Sequence, residues 1–288
     1  MTSHLAAAPG KMIRARALLA CAIDMNSMIH PDAINAAASV ELLHLATLVH
    51  DDIIDDADKR RGIAALHKKY GEKYAVLCGD FLFCTALEFV SSVTPPESRK
   101  DSLDRTFPHY LTEVCLGELR QDQNSGNLSL SEREYFKIIK GKTAALFEAS
   151  FYTGFIFSDE PDAAKEIYKE IGGNIGLIFQ LADDCADYES TEILTKKPVL
   201  SDWSRGIVTL PLIYALKKDD TLSSKIASGM SPVELKDAIE SAGGFSYTHS
   251  RIVGLHKKTE KLIESLTIDP AKKKILVRLL RKSSGIAV

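Results

Sequence analysis

Two clusters of aspartate residues with the same spacing are the residues best suited to do chemistry. Residues 51–55 read DDIID, and residues 183–187 read DDCAD. Each cluster interrupts a long apolar stretch with helical periodicity, and positions i and i+4 of a helix share a face about 6 Å apart along its axis. Carboxylates crowded on one face repel one another unless a cation lies between them. The pattern predicts divalent metal, and Mg²⁺ shared with a phosphate-bearing substrate fits an all-oxygen donor set.

Basic and polar residues accompany both clusters. Arg60 and Arg61 follow the first one, and arginine forks match phosphate oxygens in pairs. Lys142 and Thr143 lie in an apolar segment that precedes the second cluster. A single DDxxD is more often a solvated acidic face, and Lys142 or His44 alone would be a surface lysine or a satisfied core histidine. Two clusters in apolar helices favour the metal site instead.

The composition excludes several classes of protein. The chain has 288 residues, 45% hydrophobic, and a net charge of −3 without a basic arm, so we expect no nucleic-acid partner. Its five cysteines form no CxxC pair and lie in apolar surroundings, which favours reduced core thiols over a zinc-thiolate site. Residues 1–9 lack a basic leader, and no stretch reaches the eighteen or so uncharged apolar residues that span a bilayer. We expect a cytoplasmic protein.

Helical periodicity dominates the chain, and sustained alternation typical of strands is absent from the sequence. Helix starts are marked by the capping boxes at 131–134 and 231–234 and by Asp269-Pro270. The segments 34–54 and 167–186 carry apolar residues on more than one face, which indicates burial inside a bundle. The prediction is an all-α fold with one domain over residues 1–288.

The chain resembles the trans-isoprenyl diphosphate synthases of the polyprenyl synthetase family along nearly its whole length. The resemblance is carried by the two aspartate motifs with Arg60-Arg61-Gly62 and by Cys78-Gly79-Asp80, Gly117-Glu118, Lys142-Thr143-Ala144, Phe179-Gln180 and Thr209-Leu210-Pro211-Leu212. It implies a helical bundle with a central cavity capped by the two motifs. It also implies a reaction in which isopentenyl diphosphate is condensed onto an allylic diphosphate by ionisation, condensation and elimination.

The same resemblance assigns roles to individual residues. Three Mg²⁺ ions would bind the allylic diphosphate, with Asp51, Asp55 and Asp183 as main ligands and with Asp52, Asp184 and Asp187 completing the acidic rims. Other expected contacts to that diphosphate come from Arg60, Lys142 and Lys197. The pocket for isopentenyl diphosphate would use Lys11, Arg14, His44 and Arg61, while Thr143 and Gln180 would lie beside the developing cation. No Ser, Cys or His nucleophile is needed.

Two departures from the family pattern affect substrate binding. The usual Gly-Gly-Lys-Arg segment reads Pro9-Gly10-Lys11-Met12-Ile13-Arg14, which keeps the basic pair and loses a neighbouring arginine. Ile207 stands where many short-chain relatives place a phosphate-binding lysine, and the catalytic subunits of heptaprenyl synthases resemble the chain in this region. We expect weaker binding of the allylic diphosphate.

The length of the product can be argued from sterics. Ala46 and Thr47 lie five and four positions before Asp51, so they occupy the helical turn beneath the first cluster, where a growing prenyl chain must pass. Both are small, whereas a bulky aromatic residue would stop elongation early. This predicts products beyond geranylgeranyl, from hexaprenyl to octaprenyl.

Four alternatives stay open at the level of the sequence. They are a geranylgeranyl or farnesyl diphosphate synthase, a class I terpene cyclase, a non-catalytic partner of a synthase, and a catalytic chain that is active only with a small second subunit. The expected assembly is a homodimer or a heterodimer with that subunit, and we expect the lipid product to partition to a membrane.

Overall fold

The computed structural model describes residues 1–189 and 200–284, so the predicted diphosphate contact Lys197 lies outside the described residues. Almost every element in these two ranges is a helix, which confirms the all-α prediction. The described helices are α1 (Thr2–Ala6), α2 (Ile13–Cys21), α3 (Pro31–Ile54), α4 (Leu66–Tyr70), α5 (Glu72–Ser91), α6 (Asp101–Gln123), α7 (Glu132–Ile139), α8 (Ala145–Ile156), α9 (Lys165–Glu189), α10 (Ser201–Ser204), α11 (Leu210–Lys218), α12 (Leu222–Ala227), α13 (Pro232–Ser241), α14 (Gly244–Ser265) and α15 (Pro270–Ser284). A π-helical turn, Lys140–Ala144, joins α7 to α8, and short 3₁₀ turns lie at Glu97–Arg99 and Asp162–Ala164.

The chain forms two compact units whose segments interleave along the sequence. Unit one comprises Met1–Phe107, Ala149–Lys169 and Ile268–Lys272, and unit two comprises Pro108–Glu148, Glu170–Thr267 and Lys273–Val288. The first aspartate cluster belongs to unit one and the second to unit two. The single domain over residues 1–288 stays a prediction.

Helices α3 and α5 form the centre of unit one. The hydroxyl of Ser39 on α3 donates to the carbonyl of Ala86 on α5 at 2.7 Å. Gly79 leaves room for the His50 ring of α3 against α5, because a Cβ there would lie 2.2 Å from Nε2 of that ring. An apolar cluster fills the interface near the first aspartate motif, and its buried members are Ala46, Val49, Leu66, Ala75, Cys78 and Leu82. This packing fixes the last turns of α3, which carry the aspartates.

Both α3 and α5 are long and apolar enough to cross a membrane by length and composition alone. Both helices contain acidic residues, Glu41 in α3 and Asp80 in α5, so neither is an uncharged apolar stretch of eighteen residues. A core helix of a folded protein passes the same test, and these two helices pack against one another.

A small antiparallel hairpin follows α3 and was missed by the all-helix interpretation. Strand β1 (Lys59–Arg60) pairs with β2 (Ile63–Ala64), and the loop residues Arg61 and Gly62 have φ of 52° and 83°. A two-residue hairpin loop of type I′ needs positive φ at both positions. The hairpin turns Arg60 back towards the end of α3.

The π-helical turn of unit two is closely packed by two helices. A Cβ on Gly117 of α6 would lie 2.1 Å from the backbone nitrogen of Lys142, and a Cβ on Gly176 of α9 would lie 2.5 Å from Cα of Ala144. Only glycine permits these approaches, so the turn is held closely by two helices. Its position fixes Lys142 and Thr143.

Predicted helix starts are mostly found. Ser231 and Glu234 form both halves of a capping box, and Asp269 accepts a hydrogen bond from the amide of Ala271. At Ser131 the hydroxyl accepts from the amide of Glu134, whereas the Glu134 carboxylate pairs with Lys137 at 2.6 Å.

All five cysteines are free, as predicted, but they are not all in the core. Cys21, Cys78 and Cys185 are buried, whereas Cys84 and Cys115 are exposed on α5 and α6.

A buried ion pair anchors the start of α15 in unit one. The ammonium of Lys272 contacts the Glu160 carboxylate and donates to the carbonyls of Cys21 and Ile23 at 2.7 and 2.8 Å. The Tyr168 hydroxyl donates to the same carboxylate at 2.8 Å. A lysine at these carbonyls satisfies groups that the end of α2 leaves unpaired.

Candidate active site

The first aspartate cluster lies at the carboxyl-terminal end of α3. Asp51 belongs to the last turn and Asp55 is the C-cap, with its amide 2.8 Å from the Asp51 carbonyl. Both side chains are half-buried. Carboxylates are unfavourable here because the helix dipole already places negative charge at this end. The location therefore favours a cation beside Asp51 and Asp55.

Asp52 points away from solvent and is held by an arginine. Its side chain is 5% exposed, and one carboxylate oxygen accepts a hydrogen bond from Nε of Arg60 at 2.7 Å and lies 2.5 Å from Nη2. The resemblance assigned Asp52 to the metal site and Arg60 to the diphosphate, and the structure shows that the two side chains contact one another. Asp52 orients the Arg60 guanidinium, which is one-third exposed.

Most of the residues predicted to bind isopentenyl diphosphate form a basic cluster in unit one. Burial, together with the nearby charges of Arg14, Arg61 and Arg60, lowers the pKa of His44 well below its ordinary value, so its ring is neutral at pH 7. Arg14 is buried, and burial lowers its pKa to about 10. The Glu41 carboxylate raises this pKa and the Arg61 guanidinium lowers it further, and Arg14 stays charged at pH 7. Lys11 is exposed at the start of this segment.

The Arg61 guanidinium is seated by backbone atoms of the N-terminal segment. A Cβ on Gly10 would lie 2.7 Å from both of its terminal nitrogens, and Nη1 donates to the Ala8 carbonyl at 3.3 Å. Gly10, which the sequence marked only as part of a basic motif, leaves room for this guanidinium, and a side chain at position 10 would displace it.

In unit two, Lys142 is paired with Glu118. The lysine nitrogen lies 2.9 Å from both oxygens of the Glu118 carboxylate, and both side chains are 23% exposed. The pair extends Lys142 from the π-helical turn. A diphosphate that binds Lys142 must share it with Glu118.

A chain of hydrogen bonds links the other predicted residues of unit two. The Thr143 hydroxyl donates to Oε1 of Gln180 at 2.6 Å, and the Gln180 amide donates to the Asp184 carboxylate at 2.7 Å. The Tyr135 hydroxyl donates to the other oxygen of Asp184. Asp184 is therefore occupied by protein groups, and it orients Gln180.

Burial and neighbouring negative charge act on Asp184. They raise its pKa to about 8, with burial as the larger cause and Asp202 as the next. Burial, followed by the nearby Asp187, likewise raises the pKa of Asp202, to about 6. The clustered carboxylates of unit two would be stabilised by an added cation.

The third aspartate of the second motif caps a short helix. Asp187 accepts from the amide and hydroxyl of Ser201 at 3.2 and 2.8 Å, and from the amide of Asp202 at 3.1 Å. Asp183, by contrast, is exposed. The motif thus divides into Asp183, which faces solvent, and Asp184 and Asp187, which are used inside the protein.

The predicted chain-length residues lie on α3 in different settings. Ala46 is buried in the apolar cluster between α3 and α5, with Cys78 and Leu82 among its members. Thr47 is half-buried, and its hydroxyl donates to the His44 carbonyl at 2.9 Å. A large side chain at position 46 would meet side chains of α5.

Ile207, the departure from the family pattern, is half-buried, and its amide donates to the Asp202 carbonyl at 2.9 Å. The neighbouring Arg205 contacts the Asp202 carboxylate at 2.6 Å.

A model of the polyprenyl synthetase family matches residues 1–241. The chain belongs to this family. Component 2 of heptaprenyl diphosphate synthase from Geobacillus stearothermophilus is 34% identical over 252 residues, 82% of this chain and 76% of that protein. A short chain isoprenyl diphosphate synthase from Methanocaldococcus jannaschii is 36% identical over 245 residues, 83% of this chain and 74% of that one. The crystal structure of heptaprenyl diphosphate synthase from Staphylococcus aureus matches with a TM-score of 0.90 and 30% identity, over 100% of this chain and 91% of that one.

These matches establish the class of enzyme. The polyprenyl synthetase is a trans-prenyltransferase that elongates prenyl chains, as the resemblance implied. Its fold is the all-α fold of isoprenyl diphosphate synthases.

Four partners of this prenyltransferase's site residues were not assigned a role from the sequence: Tyr135, Glu118, Asp202 and Gly10. Glu118 could have been found from the Gly117-Glu118 motif, where a carboxylate follows a glycine that allows close packing. Tyr135 is separated by 49 residues from Asp184, which it contacts, so no local pattern indicates it.

Proposed function

We propose that this prenyltransferase condenses isopentenyl diphosphate with an allylic diphosphate, and that it requires Mg²⁺ held by Asp51, Asp55 and Asp183. The observation that carries the proposal is the position of these carboxylates. Asp51 and Asp55 lie at the carboxyl-terminal end of α3, where the helix dipole adds negative charge, and Asp183 is an exposed carboxylate among the clustered acids of unit two. The donors are all carboxylate oxygens, the ligands that Mg²⁺ prefers.

Cationic side chains would bind the allylic diphosphate together with the metal. Arg60 contacts Asp52 through Nε and Nη2, so a phosphate would approach its remaining edge at Nη1. Lys142 adds a point charge from the π-helical turn. When bound, Mg²⁺ stabilises negative charge on the departing diphosphate as the allylic carbon–oxygen bond breaks. Arg60 and Lys142 act in the same direction, since they interact more strongly with the released diphosphate than with the ester.

The basic cluster of unit one is the proposed pocket for isopentenyl diphosphate. Arg14 and Arg61 influence one another's charge and that of His44, so an anion placed among them relieves their mutual repulsion. Neutral His44 can donate one hydrogen bond without adding to that repulsion. A class I terpene cyclase needs no second diphosphate pocket, which makes the cyclase a weaker candidate.

Thr143 and Gln180 are proposed to lie beside the allylic cation. Their oxygens carry partial negative charge, and the Thr143–Gln180–Asp184 chain holds them in fixed orientation. Preorganised dipoles of this kind stabilise charge without reorganisation at the moment of reaction. The double bond of isopentenyl diphosphate then attacks the cation, and the released diphosphate removes a proton from the condensed product, which completes the elongation.

We propose hexaprenyl to octaprenyl diphosphate as the product. Small residues at 46 and 47 support this range, and so do the names of the heptaprenyl relatives. The names of a short chain isoprenyl diphosphate synthase among the relatives and of a geranylgeranyl pyrophosphate synthetase among the solved structures are the specific reason to keep geranylgeranyl diphosphate as the second candidate. We also propose a cytoplasmic enzyme whose product partitions to a membrane.

We propose that α5 binds a second subunit. Tyr74, Leu77, Phe81 and Cys84 are exposed at spacings of three and four residues, and Leu77 and Phe81 are 53% and 59% exposed. Such a stripe is typical of a helix that packs against another helix. The proposed partner is a second copy of the chain. The alternative is a small second subunit, and the term component 2 in the names of relatives supports a system of two components. Light scattering on the isolated chain, with Phe81→Glu as the variant, distinguishes a dimer from a monomer.

The metal assignment can be tested with neighbouring aspartates. Asp55→Asn should lower turnover by roughly 10²–10³-fold, because a charge contact to the transition state is lost. The matched control is Asp56→Asn, since Asp56 is exposed and pairs with Lys68 at 2.7 Å. Turnover that Asp55→Asn leaves unchanged at saturating Mg²⁺ would contradict the assignment, as would equal losses in both variants.

A further inference from the structure

We infer that Cys185, Glu189 and His249 form a second metal site, separate from the aspartate motifs, that binds Zn²⁺. One ligand atom of each residue lies within 4.8 Å of the other two. Nε2 of His249 lies 3.0 and 3.2 Å from the two oxygens of Glu189, and the Cys185 thiol is buried beside this pair. The sequence had suggested no thiolate metal site, because the three donors are not in one motif.

The three donors are carried by two well-anchored helices. Cys185 and Glu189 are one turn apart on α9 and so share a face, while His249 lies on α14. The rings of Tyr188 and Phe245 pack at 5.8 Å between the same two helices. A site built on rigid helices keeps its ligands in place better than one built on loops.

This face of α9 is distinct from the face that carries Asp183, the proposed Mg²⁺ ligand of this helix. Asp183 and Asp187 share one face at a spacing of four residues, and Cys185 is two residues from each. Two residues correspond to about 200° around a helix, so the thiol points away from those carboxylates. An ion held by Cys185 is therefore a different ion from one held by Asp183.

The donor set selects the kind of metal. A Glu189–His249 pair alone would be an ordinary surface ion pair, since both side chains are partly exposed. The buried thiol in reach of both changes the chemistry, because sulfur and imidazole nitrogen suit Zn²⁺ and Co²⁺ but not Mg²⁺. Zinc bonds are about 2.0–2.3 Å long, so the exposed Glu189 and His249 side chains must close in slightly on the thiol.

Binding of the metal ion releases one proton. The Cys185 thiol releases its proton to water as the sulfur–metal bond forms, His249 binds through Nε2, Glu189 binds as carboxylate, and a water molecule takes the fourth position. The bound ion would tie the end of α9, two residues beyond Asp187, to α14. We expect it to stabilise unit two.

Cobalt provides a readout that the aspartate motifs cannot give. Titration of Co²⁺ into the Cys84→Ser/Cys115→Ser protein, which lacks the exposed thiols, should produce a thiolate-to-cobalt charge-transfer band that saturates at about one equivalent. The band should persist in Asp55→Asn and disappear in Cys185→Ser. Carboxylate sites give no such band, so failure of this inference and failure of the proposed function are distinguishable.

A second variant guards against misfolding of the buried cysteine substitution. His249→Gln changes a half-exposed residue, and it should weaken Co²⁺ binding at least about tenfold while its circular dichroism is unchanged. Zn²⁺ should also raise the unfolding temperature of the parent protein and not that of His249→Gln. No band in the parent protein, or a band that survives Cys185→Ser, would overturn the inference.

Discussion

Loss of the Lys272 ammonium should strongly destabilise unit one, although the residue lies outside the proposed site. Lys272 and Glu160 have side chains that are only 2% and 7% exposed. Lys272→Met retains the apolar stem and leaves the Glu160 carboxylate buried without its cation. The carbonyls of Cys21 and Ile23 lose their donor in the same step.

The magnitude follows from the burial. Breaking one partner out of a buried ion pair costs about 3–5 kcal/mol, because the remaining charge is uncompensated. The Tyr168 hydroxyl still donates to Glu160, which limits the loss of stability. The carbonyls of Cys21 and Ile23, left without their donor, increase that loss. We expect a decrease of about 4 kcal/mol in the free energy of unfolding. With a urea m-value of about 3 kcal/mol/M, the unfolding midpoint falls by about 1–2 M.

Urea denaturation followed by circular dichroism measures this shift, and the chain supplies its own control. Lys273→Met removes the neighbouring lysine, which lies 3.4 Å from a Glu264 carboxylate that is 61% exposed. Lys273 is 24% exposed and also donates to the Glu264 carbonyl at 2.9 Å. Solvent-accessible pairs contribute about 0–1 kcal/mol, so the midpoint of Lys273→Met should move much less than that of Lys272→Met. The double variant Glu160→Gln/Lys272→Met should recover part of the loss. Equal effects of the two lysine variants, or no recovery in the double variant, would refute the reasoning.

Three further predictions concern the site. Gly117→Ala should reduce kcat by roughly 10²-fold in a steady-state assay, because its Cβ would lie 2.1 Å from the Lys142 backbone and displace that lysine. Gly254→Ala is the control and should keep its activity, because the space around its Cβ is open. Asp184→Asn should make the metal-free protein more stable than the parent above about pH 8. The pKa of Asp184 is raised in the folded state, so the parent loses stability as the pH rises from about 4 to 8, by at most about 1.4 kcal/mol per pH unit. An unfolding temperature of the parent that does not change across this pH range would contradict the prediction. Ala46→Phe should shorten the product and destabilise the protein by about 1–3 kcal/mol against α5, and an unchanged product ladder would remove the steric argument for chain length.

The main helices could be predicted from the sequence because their apolar periodicity is strong. The segments expected at 34–54 and 167–186 correspond to Pro31–Ile54 and Lys165–Glu189. The hairpin at 59–64 could not be found the same way, since two-residue strands carry no alternation and Arg-Gly is not a common type I′ sequence. The hairpin requires a positive φ at Arg61. In the folded chain Arg61 lies against Gly10 and Arg60 pairs with Asp52, and neither contact can be seen in the local sequence.

The residue types of the site were predictable, but their partners were not. Spacing alone marks both aspartate clusters, because four residues make one turn. Which carboxylate is used inside the protein depends on tertiary contacts such as Tyr135 to Asp184 and Ser201 to Asp187. The π-helical turn that presents Lys142 likewise depends on close packing by Gly117 from another helix. A sequence shows these glycines without showing what approaches them.

The most direct test of the central claim is a chain-length assay on the purified chain alone. Farnesyl diphosphate and labelled isopentenyl diphosphate are incubated with Mg²⁺, with a metal-free control, and the products are separated by length. The account predicts a metal-dependent ladder that ends between hexaprenyl and octaprenyl diphosphate. A cyclised hydrocarbon, elongation that persists without divalent metal, or no elongation by the folded chain even as a dimer would contradict it.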